Sequence, residues 1–207
     1  MVIVLDIDGC LANFNKGYGT LLTKIGGARL PQGWQDEPNL NFPVTWDWDR
    51  AAGYSPDIIQ KVWTKYIMQE GSHFWKNLEP LPTARESLMH VNSLVKQGQA
   101  ECYFLTHRMG HAAKLQTEEW LYANGIDYPT VLMTADKVPW LRLLKANIFL
   151  DDKPETVQEV AQVALEEKWP DFKLYLRQAP YNRALWEKVF SVATVKDALI
   201  AAGVWDA

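Results

Sequence analysis

The stretch VIVLDIDGC, residues 2–10, constrains this chain more than any other. Val2 to Leu5 is short, continuous and rich in β-branched residues, the pattern of a strand buried on both faces. It runs directly into two carboxylates, Asp6 and Asp8. Two like charges at the end of a buried strand are costly unless water or a cation compensates them. A strand of this kind belongs inside a parallel sheet, so the rest of the chain must supply crossover helices and further strands.

It does so after an interruption. Residues 15–78 carry Gly26, Gly27, Pro31, Gly33, Pro38 and Pro43, helical patterning near 16–25 and 56–69, and Trp34, Trp46, Trp48, Trp63 and Trp75. We read this region as an inserted, mostly helical cap. Alternation resumes after Pro82, with helices expected over 83–97, 112–124, 138–144, 155–167 and 195–202. Strands are expected over 101–105, 130–133, 147–150 and 173–176. Gly98, Gly125 and Gly203 stand where helices should stop. The expected fold class is α/β: a Rossmann-like core of residues 1–14 and 79–207 with a five-stranded parallel sheet, and the cap 15–78 inserted after the first strand.

Charge and composition exclude several classes. The formal net charge is −4, with no basic tail or arginine stripe, so a nucleic acid polymer is not the expected partner. No run approaches the ~18 apolar residues that span a bilayer, so no membrane partner is expected. The chain enters its first strand without a charged leader or cleavage site, and Cys10 and Cys102 form neither a disulfide framework nor a zinc spacing. The expected setting is the cytoplasm. A homodimer is compatible with the sequence, which has nothing that argues for one.

Open parallel sheets bind ligands beyond the carboxyl ends of their strands. There the chain places Asp6 and Asp8, Thr106, and Asp151 with Asp152, while Lys137 follows the third strand closely. Carboxylates from two loops make a hard-oxygen site suited to Mg²⁺, which takes one or two protein carboxylates plus a substrate phosphate. A lysine and a hydroxyl would hold the remaining phosphate oxygens. Phosphoryl transfer asks for little beyond such positioning and charge stabilisation. One carboxylate could act as nucleophile and the other as proton donor and acceptor.

Four segments carry a resemblance. DIDGCLANF resembles motif I of the haloacid-dehalogenase superfamily of phosphatases, YFLTHR its motif II, Lys137 in TADK its motif III, and IFLDD its motif IV. Within it, the chain is similar to the 5′(3′)-deoxyribonucleotidase family: Leu11, Ala12 and Phe14 match, with Cys10 where that family has valine, and FWKNLEPLP matches an aromatic pair before a proline-rich stretch. The resemblance implies Asp6 as nucleophile, Asp8 as general acid/base, and Mg²⁺ held by Asp6, the Asp8 carbonyl and Asp152, with Asp151 close by. It implies phosphate binding by Thr106 and Lys137, with His107 beside them, and a nucleoside pocket lined by Phe14, Phe74 and Trp75. His107-Arg108 departs from the family, which has a small hydroxyl residue after the threonine; Arg108 is expected to touch substrate, favouring a second phosphate or altering sugar selection.

The expected activity is hydrolysis of 5′-(deoxy)nucleoside monophosphates through an aspartyl-phosphate. A sugar phosphate or another small phosphoester would use the same chemistry, a non-catalytic nucleotide-binding module would need only part of it, and a nucleic-acid end phosphatase would need a basic track that the chain lacks. Plainer roles compete at single positions. Asp151 or Asp152 could cap the next helix, Trp46 and Trp48 could be cap packing, and APYN at 179–182 reads as a loop without a catalytic role.

Overall fold

The computed structural model describes residues 1–34, 43 and 45–206. Pro38 of the insert lies outside the described residues. Six strands form one sheet: β1 (Val2–Leu5), β2 (Glu101–Thr106), β3 (Val131–Met133), β4 (Ile148–Asp151), β5 (Lys173–Arg177) and β6 (Ser191–Val192). Their order is β3-β2-β1-β4-β5-β6 and every pairing is parallel. The sequence expectation of five strands misses β6. Its two residues are too few to establish an alternating pattern, and it exists only because Leu176 and Arg177 pair with it at the sheet's edge.

β1 is flanked by β2 and β4, and the order in which strands are added reverses beside it: β2 and β3 build outward on one side, β4 to β6 on the other. A crevice therefore opens past the ends of β1 and β4. Side-chain alternation sets the two faces. Ile3, Leu5, Phe104, Ile148 and Leu150 join the larger core cluster. Val4, Leu105 and Phe149 pack on the other face with Val138 and Leu141 of α6 (Val138–Leu144) and Val160 of α7 (Pro154–Glu166). The larger cluster also holds Leu88 and Val91 of α4 (Ala84–Lys96), Trp120 and Leu121 of α5 (Ala113–Ala123), and Ala198 and Leu199 of α8 (Val195–Ala201).

Among the described residues, the segment between β1 and α4 is helical. It contains α1 (Phe14–Gly26), α2 (Trp48–Ala51), α3 (Pro56–Val62), a π-helical turn at Trp63–Ile67 and a 3₁₀ turn at Trp75–Asn77. Asn13 starts α1 by accepting the Lys16 N–H at 3.1 Å, and Ser55 starts α3 ahead of Pro56. Tyr18, Leu22, Trp48, Tyr54, Val62 and Ile67 of this segment belong to the same apolar cluster as the sheet face.

Candidate active site

The alternation that builds the core also aims the charges. Asp6 follows Val4 by two residues and Asp151 follows Phe149 by two, so both carboxylates continue the face that α6 covers. Lys137 stands immediately before α6 on that face. Its Nζ donates to Asp6 Oδ1 and to Asp151 Oδ2, each at 2.6 Å. All three side chains are buried. The Asp6 N–H donates to the Leu150 carbonyl at 2.9 Å, which extends the β1–β4 ladder to Asp6.

Asp152 adds a third buried carboxylate, so one ammonium faces three. The electrostatics follow. Burial pushes the Asp6 carboxyl well above the usual range; Lys137 opposes this, and Asp151 and Asp152 reinforce it. Burial and then Asp151 push Asp152 up to about 7, against the Tyr181 hydroxyl, Lys137 and the Arg177 guanidinium. Burial would lower the Lys137 ammonium, but Asp151 and Asp6 outweigh it and hold it above the ordinary lysine range. Such a crowd of buried carboxylates favours a cation beside it. Asp6, Asp152 and Cys10 offer donor atoms within 4.8 Å of one another, the right spread for one divalent ion. The donor set is two hard oxygens and a thiol, and burial with the surrounding carboxylates pushes that thiol well up, so it stays protonated. The oxygens fit a hard cation.

Asp152 is itself fixed from outside. The Tyr181 hydroxyl donates to its Oδ2, and Asn182 Nδ2 donates to its backbone carbonyl at 2.7 Å. A second Asn182 bond, to the Arg177 carbonyl at 2.8 Å, ties this loop to the end of β5. Gly9 makes the arrangement possible. Its φ is +77°, and a Cβ there would collide with the Asp152 carboxylate. Asp151 Oδ1 accepts the Lys153 N–H at 2.8 Å, and α7 begins at Pro154 with no side-chain cap, so neither aspartate is a helix cap.

Asp8 leaves this cluster and meets a guanidinium. Arg108 Nε donates to Asp8 Oδ2 at 2.9 Å and Nη2 to Oδ1 at 2.8 Å. Beside Asp8 lies a cavity of about 420 Å³, the size of a small-ligand site. Its walls are aromatic: Phe14, Tyr18, Trp46, Trp48, Trp63, Trp75 and Tyr181, with Asp49, His107 and Lys153 among the polar groups. Phe14 stacks on Trp75 at 5.9 Å between ring centroids and on Tyr18 at 5.3 Å. Tyr18 donates to Asp49 Oδ2 at 2.7 Å and Trp48 Nε1 to Asn15 Oδ1 at 3.0 Å, so the wall is held by its own polar edges.

The comparisons with known proteins can be set against this geometry. A family model described as "5' nucleotidase, deoxy (Pyrimidine), cytosolic type C protein" matches residues 1–202. The chain belongs to this 5′-nucleotidase family. It is a phosphoric monoester hydrolase. No curated protein matches it. A haloacid dehalogenase-like hydrolase from Burkholderia xenovorans LB400 has the same fold, with a TM-score of 0.55, 11% identity and 96% of each chain covered. A structure titled "Dehalogenase with intermediate complex" gives a TM-score of 0.51 at 12% identity, covering 97% of this chain and 96% of its own. At such identities these two carry the fold alone.

For this nucleotidase-family chain, the sequence-derived site residues divide clearly. Asp6, Asp151, Asp152 and Lys137 converge as anticipated. Thr106 ends β2, and its Oγ1 is buried with no hydrogen-bond partner among the described residues. Phe14, Trp75 and His107 border the cavity. Phe74 borders a different depression of about 610 Å³ on the far side of α1, with Lys16, Tyr66 and Glu79. Arg108 is buried beneath Asp8 rather than open to the cavity. Trp48 packs in the core cluster, as expected, and also borders the cavity, whereas Trp46, expected as packing, is exposed and borders the cavity. Tyr181 and Asn182, expected in a plain loop, instead stand in a 3₁₀ helix, Pro180–Leu185, that holds Asp152. The usable signal for them was position, since every loop leaving a parallel strand at this end faces the crevice. Among the described residues no helix is long and apolar enough to cross a membrane.

Proposed function

We propose that the chain is an Mg²⁺-dependent phosphomonoesterase that hydrolyses 5′-(deoxy)nucleoside monophosphates through an aspartyl-phosphate, acting in the cytoplasm. The observation that carries this reading is the aromatic-walled cavity bordered by Asp8, two residues beyond Asp6 in the loop that follows β1. A planar base suits stacked aromatic walls; a sugar phosphate has no such face. The helical segment 15–78 is the cap, covering the rim of the core formed by residues 1–14 and 79–207.

Mg²⁺ would be held by Asp6, the Asp8 carbonyl and Asp152, with Asp151 alongside, and would supply the positive charge that the phosphate and the buried carboxylates lack. Lys137 sets one Asp6 oxygen in place and neutralises part of the phosphate charge. The unpartnered Thr106 hydroxyl donates to a phosphate oxygen, with His107 beside it. The second Asp6 oxygen attacks phosphorus. The ester P–O bond breaks, its electron pair goes to the leaving oxygen, and that oxygen takes a proton from Asp8. Water then attacks the aspartyl-phosphate and gives its proton to Asp8; the Asp6–phosphorus bond breaks and inorganic phosphate leaves.

The test is phosphate release with and without Mg²⁺ from deoxy- and ribonucleoside monophosphates, sugar phosphates and 4-nitrophenyl phosphate, with EDTA and Asp6→Asn controls. Selective, metal-dependent release from the nucleotides is expected. Release from the sugar or aryl phosphates alone would discard the nucleotide assignment.

A further inference from the structure

We infer that Arg108 is a positioning residue that locks the acid/base carboxylate Asp8 in its working orientation, and is not a ligand for substrate. The inference rests on the proposed role of Asp8 as proton donor and acceptor.

All three guanidinium nitrogens are committed. Nε and Nη2 take one lone pair from each Asp8 oxygen, at 2.9 and 2.8 Å, and Nη1 donates to Thr117 Oγ1 at 3.0 Å. Thr117 in turn donates to the Ala113 carbonyl at 2.7 Å, which anchors the fork to α5. The Arg108 side chain has 0% exposure while that of Asp8 keeps 19%. The pair therefore shows the cavity its carboxylate and hides its cation. The guanidinium carbon lies 5.0 Å from the Trp75 ring centroid, and Trp75 is pinned by Nε1 donating to the Met109 carbonyl at 3.0 Å and by its N–H donating to Gln116 Oε1 at 3.1 Å.

Asp8 needs this support. It sits on a loop past the end of β1, and loop-borne groups are held less exactly than those on strands. A bidentate fork fixes the carboxylate plane as a single ammonium cannot. Each oxygen retains a lone pair outside the fork, and the exposed side of Asp8 is the side open to the cavity. There the proton passes to the leaving oxygen as the ester P–O bond breaks, which returns Asp8 to the carboxylate that Arg108 pairs.

The experiment uses the full chain with Mg²⁺ and compares wild type, Arg108→Lys, Arg108→Gln and Asp8→Asn under single-turnover conditions. Leaving-group release is followed from a nucleoside 5′-monophosphate, whose alkoxide needs a proton, and from 4-nitrophenyl phosphate, whose phenolate needs none. For Arg108→Gln the nucleotide rate should fall about 100-fold with half-saturation within about threefold, while the nitrophenyl rate stays within about threefold; Arg108→Lys should recover only part of the loss. Equal losses on both substrates, or an unchanged nucleotide rate, would overturn the inference. If Asp8→Asn itself lacks leaving-group selectivity, the Asp8 role fails and the inference falls with it. Should both Arg108 variants fail to fold, Thr117→Val, which leaves the Asp8 pair intact, decides. A loss of about threefold or more on the nucleotide alone supports the inference, and a flat response overturns it.

Discussion

At the scale of single residues, the site is a set of groups whose surroundings oppose their ordinary state. Among the described residues Lys137 is the ammonium that contacts both Asp6 and Asp151, so Lys137→Met should take that cation from both carboxylates and destabilise the fold by about 3 kcal/mol in denaturant unfolding. Thr106 presents the opposite case. Its buried hydroxyl has no partner among the described residues, so Thr106→Val should keep or raise stability, by up to about 1 kcal/mol, while kcat/KM for phosphate esters falls about tenfold or more. A variant that lost stability along with activity would show that the hydroxyl serves the fold. Tyr181→Phe removes the donor to Asp152 Oδ2 and should weaken Mg²⁺ affinity about tenfold by calorimetry, with little change in melting temperature of the metal-free protein.

At the scale of elements, periodicity carried most of what could be read in advance. β1, β2, β4 and β5 show continuous apolar runs, and of the helices between them α4 and α5 are followed by the glycine stops Gly98 and Gly125. What escaped had a physical reason. β6 is two residues long and owes its conformation to its neighbour rather than to its own pattern. Phe74 and Trp75 are adjacent, yet the 3₁₀ turn that begins at Trp75 sends one toward the cavity and the other to the far side of α1. Adjacency in sequence does not give a shared face. Trp75 is buried between Phe14 and Arg108, and Trp46 is the exposed tryptophan of the cavity, so Trp46→Ala should weaken nucleotide turnover about tenfold relative to 4-nitrophenyl phosphate, whereas Phe74→Ala should leave that ratio within about twofold. Equal ratios for the two variants would remove base stacking from the account. Arg108 escaped for a related reason. A guanidinium beside a phosphate loop invites a role with phosphate, and only the three-dimensional fork shows it already spent on Asp8 and Thr117.

At the scale of the whole molecule, the sheet order brings the ends of β1, β2 and β4 together, and the helical segment between β1 and α4 shares one apolar cluster with the sheet beneath it. Three buried carboxylates, Asp6, Asp151 and Asp152, meet at that junction, where the proposed Mg²⁺ would add stability. Mg²⁺ at about a hundred times its dissociation constant should add about 2.7 kcal/mol and raise the melting temperature by about 5 °C or more, a gain that Asp152→Asn should largely abolish. The four motifs that place this junction were legible because they are local in sequence; the aromatic wall was not, because its rings come from turns and helix ends scattered between Phe14 and Tyr181. That wall has a practical consequence. Four of the ten tryptophans, Trp46, Trp48, Trp63 and Trp75, border the one cavity. Ultraviolet emission from the unlabelled chain should thus dim or shift in colour as the cavity fills, so an inactive Asp6→Asn protein could report its own occupancy, nucleotide by nucleotide, in a cuvette.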